Sequence, residues 1–93
     1  MTDAWNLRLH PPAERALSRL PDKAAAACLE FMLGPLLRQP KVPGRGLVGQ
    51  FEGLWSARVG VYRVVHELDE RSRTVHVYRV GHRAHIYHGP PGR

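Results

Sequence analysis

Two runs decide the fold: Leu54-Trp55-Ser56-Ala57-Arg58-Val59-Gly60-Val61-Tyr62-Arg63-Val64-Val65-His66-Glu67-Leu68, and Thr74-Val75-His76-Val77-Tyr78-Arg79-Val80 after it. Both are dense in Val, Tyr and other residues that suit a half-buried pleated surface. Gly60 interrupts the first run, and the polar Asp69-Glu70-Arg71-Ser72-Arg73 separates it from the second. This punctuation predicts a meander of three antiparallel strands, Leu54 to Val59, Val61 to Leu68 and Thr74 to Val80.

Moving back towards the N-terminus, Gln39 to Gly53 holds Pro40, Pro43, Gly44, Gly46, Gly49 and Gly53, which leave no room for a long regular element. Leu47 and Val48 are expected to add a short strand. Before this loop the period changes. Lys23 to Leu33 is rich in Ala and Leu, with Ala24, Ala27, Cys28 and Phe31 as the inner stripe of a helix. Asp22 is placed to cap it, because a carboxylate accepts from the free first-turn N–H groups. Gly34-Pro35 ends or kinks it, with one more turn through Leu36 and Leu37. A shorter helix from Pro11 and Pro12 to about Leu20 carries Ala13, Ala16, Leu17 and Leu20 on one face, and Pro21 breaks it. Trp5-Asn6-Leu7-Arg8-Leu9 alternates as a strand. The tail Gly89-Pro90-Pro91-Gly92-Arg93 is expected to fray.

The order β-α-α-β-β-β predicts one α+β domain over residues 1–93: an N-terminal strand, an α-hairpin, then a three- to four-stranded antiparallel meander. The helices must cover one sheet face. The other face, with Arg63 and Arg79, is expected to stay open as a platform for a ligand.

Composition narrows the partners. Fourteen Lys and Arg, twelve of them Arg, oppose eight Asp and Glu, for a net charge of +6. Residues 1–53 carry +2 and residues 54–93 carry +4, and five of the six His lie in the second part. A basic half suits a polyanion such as nucleic acid, although Arg-rich composition also serves solubility alone. Cys28 is the single cysteine, which excludes an internal disulfide. The N-terminus has neither a basic region nor an apolar run, and the longest apolar stretch is Ala24 to Leu29. No signal peptide or membrane span is expected, and the chain reads as cytoplasmic.

The strands carry the candidate chemistry. In an antiparallel meander the start of the second strand and the end of the third lie at one end of the sheet. Arg63 and Arg83 are therefore expected to converge, with Arg58 and Arg79 nearby. Two guanidiniums at one point hold a phosphate and stabilise charge on its equatorial oxygens. Each arginine can equally be a solvated strand residue, or pair with Glu52, Glu67 or Asp69. His82, His85 and His88 follow at intervals of three, but Gly81, Gly89, Pro90 and Pro91 argue against a helix that would align them on a metal. General acid–base work suits them better, since histidine is the side chain that titrates near neutrality. Gly44-Arg45-Gly46 lacks the Lys and Ser/Thr of a phosphate loop. The reading calls for no cofactor and no metal.

Val59-Gly60-Val61-Tyr62-Arg63-Val64-Val65-His66 and Val80-Gly81-His82-Arg83-Ala84-His85-Ile86-Tyr87 together resemble the RelE/ParE toxin superfamily, and its RelE type most closely. Pro21-Asp22-Lys23, Gly34-Pro35-Leu36-Leu37 and the approach through Leu47, Gly49, Gly53, Leu54 and Trp55 fit the same pattern, so the resemblance covers nearly the whole chain. It implies a toxin that cleaves messenger RNA in the ribosomal A site by attack of the ribose 2′-hydroxyl on the adjacent phosphate. It also implies a cognate RelB-like antitoxin as partner, contacts with ribosomal RNA, and further toxin–antitoxin assembly on operator DNA. Carried over by position, Arg63, Arg83, His85 and Tyr87 would be catalytic, and Arg58, Arg79 and His82 would bind RNA or the ribosome. The family's two strand lysines, one of them the proposed base, fall here on Leu54 and Ser56, which shifts the burden to His85. A ParE-like toxin directed at DNA gyrase, or a non-catalytic RNA- or ribosome-binding module, would not need Arg63, Arg83 and Tyr87 to converge.

Overall fold

The computed structural model describes residues 4–41, 44–47 and 51–86. Its elements are β1 (Asn6–Leu9), α1 (Pro11–Arg19), α2 (Asp22–Leu33), α3 (Pro35–Arg38), β2 (Gly44–Gly46), β3 (Trp55–Val59), β4 (Tyr62–Asp69) and β5 (Thr74–His82). The strands form one five-stranded sheet in the order β1-β5-β4-β3-β2. The α+β class and the meander β3-β4-β5 are as the sequence predicts. The sheet has one strand more than the order β-α-α-β-β-β, because the short strand before the meander joins it as well as β1.

β1 pairs in parallel with β5, Asn6 to Thr74 through Leu9 to Val77. The three helices and the strands β2, β3 and β4 lie between them in the chain, which makes the long connection that parallel neighbours require. The short strand expected at Leu47 and Val48 forms earlier, at Gly44–Gly46, antiparallel to β3; Val48 lies outside the described residues. Its pairing is a backbone matter, which side-chain patterning does not announce.

The helices pack on one sheet face. Ala13, Cys28, Met32, Leu36 and Leu37 meet Ala57, Val64, Val75, Val77 and Val80 in the main core. The stripe of α2 differs from expectation: Met32 is buried where Ala27 is exposed, so the seam runs from Cys28 through Met32 into Leu36. Asp22 is the first helical residue rather than the cap; Pro21 holds the cap position at φ −55°, ψ 146°, and no side chain caps the helix. Asp22 still sits where negative charge favours the helix dipole.

His66 is fully buried on β4. Its Nδ1 lies 3.2 Å from the Val64 carbonyl oxygen. A carbonyl only accepts, so the ring proton sits on Nδ1, and Nε2 is left without a partner among the described residues. Burial lowers the His66 pKa to about 4, against the opposing effect of the Val64 bond.

The sheet face away from the helices is not open along its length, contrary to the sequence expectation. Leu54, Val65 and Ile86 are buried there in a second apolar cluster, flanked by Leu47, Phe51 and Tyr78. The chain after β5 turns back over the sheet, and Ile86 lies against Gly81, where a Cβ would come within 3.3 Å of Ile86 Cδ1. The ladder between β4 and β5 shifts register at this level: Val65 faces Arg79, His66 faces Val77, and Tyr78 is the extra residue. The bulge restores phase so that Val80 joins Val75 and Val77 in the main core while Arg79 points to the second face.

Candidate active site

The β3–β4 hairpin sets one wall of the site. Gly60 turns the chain at φ +61°, a left-handed conformation that a side chain would strain. Arg58 and Arg63 then stand directly opposite each other across the ladder. Arg58 is exposed. Arg63 is half-buried, and its Nη1 donates to the carbonyl oxygens of Tyr62 at 3.0 Å and Gly60 at 3.3 Å. The guanidinium is thus folded onto its own hairpin turn.

The end of β5 sets the other wall. Arg63 faces Gly81, and the Arg83 N–H donates to the Val61 carbonyl oxygen at 2.8 Å. Two arginines twenty positions apart in the chain therefore share one end of the sheet, as the meander predicts. The turn that follows is well tied. The N–H groups of His85 and Ile86 donate to the His82 carbonyl oxygen at 2.9 and 3.1 Å, and that of Ala84 donates to His82 Nδ1 at 3.0 Å. His82 is therefore occupied in shaping the turn. Its ring lies 5.9 Å from that of His85 and meets the Tyr62 ring edge-on at the same centroid distance.

His85 is exposed and borders a cavity of about 310 Å³ between Pro12 and Ala16 of α1 and the end of β5. Arg58 and Arg63 lie on the sheet face opposite the helices, while Tyr62 packs towards the main core. The hairpin arginines thus occupy one face at this sheet end, and Arg83 lies in the turn between His82 and His85. Arg79 is set deeper: its Nη1 donates to the Ile86 carbonyl oxygen at 2.9 Å and its guanidinium lies 5.6 Å from the centre of the Phe51 ring. Tyr87 and His88 lie outside the described residues. Among the described residues no group of three or more His, Cys, Asp or Glu is placed to hold a metal ion.

Leu54 and Ser56 are 2% and 5% exposed. Of the positions where the family resemblance expects lysines, Leu54 belongs to the second apolar cluster and Ser56 is buried opposite Val65. Neither carries a basic group. That cluster, with Ile86 seated in it, is what sequence reasoning missed; the small Gly81 and the apolar Leu54 were its traces in the sequence.

Comparison with known proteins agrees with this fold. The profile of the ParE toxins of type II toxin–antitoxin systems matches residues 7–87. The chain belongs to the RelE/ParE toxin superfamily. Its resemblance to RelE-type members is the stronger one. It is 42% identical to Toxin RelE of Mycobacterium tuberculosis (strain ATCC 25618 / H37Rv) over 89 residues, 96% of this chain and 92% of that one. It is 40% identical to Toxin RelG of the same organism over 83 residues, 89% and 95% of the two chains. A chain in the crystal structure of the Mycobacterium tuberculosis toxin–antitoxin complex RelBE2 superposes with a TM-score of 0.83 at 37% identity, covering 85% of this chain and 98% of that one. The RelE-type chain has no helix among its described residues long and apolar enough to cross a membrane.

Proposed function

We propose that this toxin is a ribosome-dependent messenger RNA endoribonuclease. The observation that supports the reading is the register of β3, β4 and β5, which sets Arg58 opposite Arg63 and Arg63 opposite Gly81, with the Arg83 N–H bonded to the Val61 carbonyl oxygen at the same end of the sheet. In the reaction, the ribose 2′-oxygen forms a bond to the adjacent phosphorus as the bond to the 5′-oxygen breaks. A base takes the 2′-hydroxyl proton, an acid supplies one to the leaving 5′-oxygen, and cations offset the charge on the phosphoryl oxygens. Arg63 and Arg83 take the cation role. Arg63 must leave its bonds to Gly60 and Tyr62 to do so. His85 is assigned proton transfer, because Leu54 and Ser56 offer no base. The cleft between α1 and the end of β5 is suited to the flat face of a nucleobase, and stacking on the nucleotide is the role assigned to Tyr87. Arg58 and His82 are assigned to the docking surface for ribosomal RNA.

A toxin of this size is controlled by a partner that covers much of it, and an antitoxin related to RelB is the proposed one. The RelBE2 complex is the support, being a toxin–antitoxin assembly of a similar chain. Co-expression with the adjacent reading frame should give a tight co-purifying complex. Assembly of such complexes on operator DNA belongs to the same proposal, as does a cytoplasmic place of action.

A gyrase-directed activity is the second reading, favoured by the ParE description of the matching family. Mapping of 5′ ends on translated messages after brief induction separates the two. Cuts within codons support the ribonuclease. Intact messages with arrested replication support the gyrase reading.

A further inference from the structure

Arg79 stands opposite Val65, one residue beyond the Tyr78 bulge. Its side chain engages the segments that enclose the second face, through the Ile86 carbonyl oxygen and the Phe51 ring. Ile86 is only 7% exposed and its side chain is seated with Leu54 and Val65. The residue is therefore held twice, by its side chain against the sheet and by its carbonyl oxygen on a guanidinium. A planar guanidinium is suited to this double task, since it donates along its edge and stacks on its face. The turn that Ile86 closes is fixed at its beginning by the Arg83 N–H on Val61 and within by the bonds to His82. The Arg79 bond fixes its end.

We propose that Arg79 is a positioning residue, which clamps the 82–86 turn through the Ile86 carbonyl and so sets where Arg83 and His85 stand. This rests on the ribonuclease reading and changes the role of Arg79 within it, from RNA contact to internal support. The chemistry is consistent: a guanidinium already engaged with a main-chain carbonyl and an aromatic ring has exchanged its hydration for fixed partners. An incoming phosphate would have to displace both. Losing the clamp should therefore slow the chemical step more than it weakens RNA binding, because small misplacements of reacting groups are costly.

Two variants test the clamp. Arg79→Met keeps the apolar stem and removes every donor; Arg79→Lys keeps a charged donor that can reach the Ile86 carbonyl. Amide hydrogen exchange is measured by NMR on the free chain, and single-turnover cleavage on messenger RNA in a translating ribosome. In Arg79→Met the His85 and Ile86 amides should exchange about 10-fold faster or more while Val64 and Val75 hold their protection. The maximal cleavage rate should fall roughly 10- to 100-fold with the half-saturating concentration within about 2-fold of the wild type. Arg79→Lys should recover part of both. Unchanged exchange overturns the proposal, as does faster exchange with an intact rate. Weakened binding with an intact maximal rate returns Arg79 to the RNA-contact role. If the wild type itself cleaves nothing, the ribonuclease reading fails, and the exchange data alone still accept or reject the clamp.

Discussion

Replacing His66 by Leu should flatten the dependence of stability on pH. In the folded chain the ring is uncharged, because a proton on Nε2 would have to be buried without a partner. Burial lowers its pKa from the ordinary 6.5 to about 4, so the unfolded chain binds more protons between those values. Stability from this group is therefore whole above the ordinary pKa and is lost as pH falls towards 4. At pH 5 the unfolded state is favoured by a factor of roughly 20 relative to neutral pH, about 2 kcal/mol. That is a large part of the stability of a small domain. His10, whose pKa is also lowered, first by burial and then by the charge of His76, acts in the same direction but is present in both proteins. The measurement is urea unfolding followed by far-UV circular dichroism at pH 7, 6, 5.5 and 5. His66→Leu, of similar size, should match or exceed the wild type at pH 7, since it removes an unpartnered polar atom from the core. Its loss between pH 7 and 5 should be smaller by about 2 kcal/mol. Parallel curves for the two proteins would refute this account of His66.

Arg63→Ala and Arg83→Ala should each lower single-turnover cleavage by roughly 10²- to 10³-fold, the usual cost of losing one group that stabilises transition-state charge, with little change in urea midpoint. His85→Gln should lose most activity in the same assay while His88→Gln keeps it. Gly60→Ala should cost about 1–2 kcal/mol in unfolding free energy. A Cβ there meets nothing within 4 Å, so that cost reads the φ of +61° alone.

The meander and the α-hairpin were legible because their side chains repeat with the period of the backbone. Val64, Val75 and Val77 alternate into the core, and prolines 11, 21 and 35 mark the helix starts. The shared sheet end of Arg63 and Arg83 followed from strand direction alone. What was hidden is what local pattern does not encode. The partner of β1 lies beyond three helices and three strands. β2 is a Gly-Arg-Gly triplet with almost no side chain to read. The bulge at Tyr78 changes which face Val80 and Arg79 occupy, although Val75-His76-Val77-Tyr78 alternates as an unbroken strand would. The enclosure of the second face depends on Ile86 returning to Leu54 and Val65, a contact between residues far apart in sequence. The contacts of Arg79 with Ile86 and Phe51 depend on the same return of the chain, which strand pattern does not show.

The proposed set of groups is sparse for a free-standing nuclease. His85 stands in a turn after the last strand, and Leu54 and Ser56 contribute no second basic group. Such a set suffices where the ribosome orders the message and aligns the 2′-hydroxyl with the phosphate, a positioning that supplies much of the barrier reduction. The most direct measurement compares cleavage of one messenger RNA by the purified toxin, naked and in a translating ribosome with a defined codon in the A site. The account predicts cuts within that codon on the ribosome, weakened as salt rises, and an intact message when naked. Equal cleavage of naked and ribosome-bound RNA, or none on either, would contradict it.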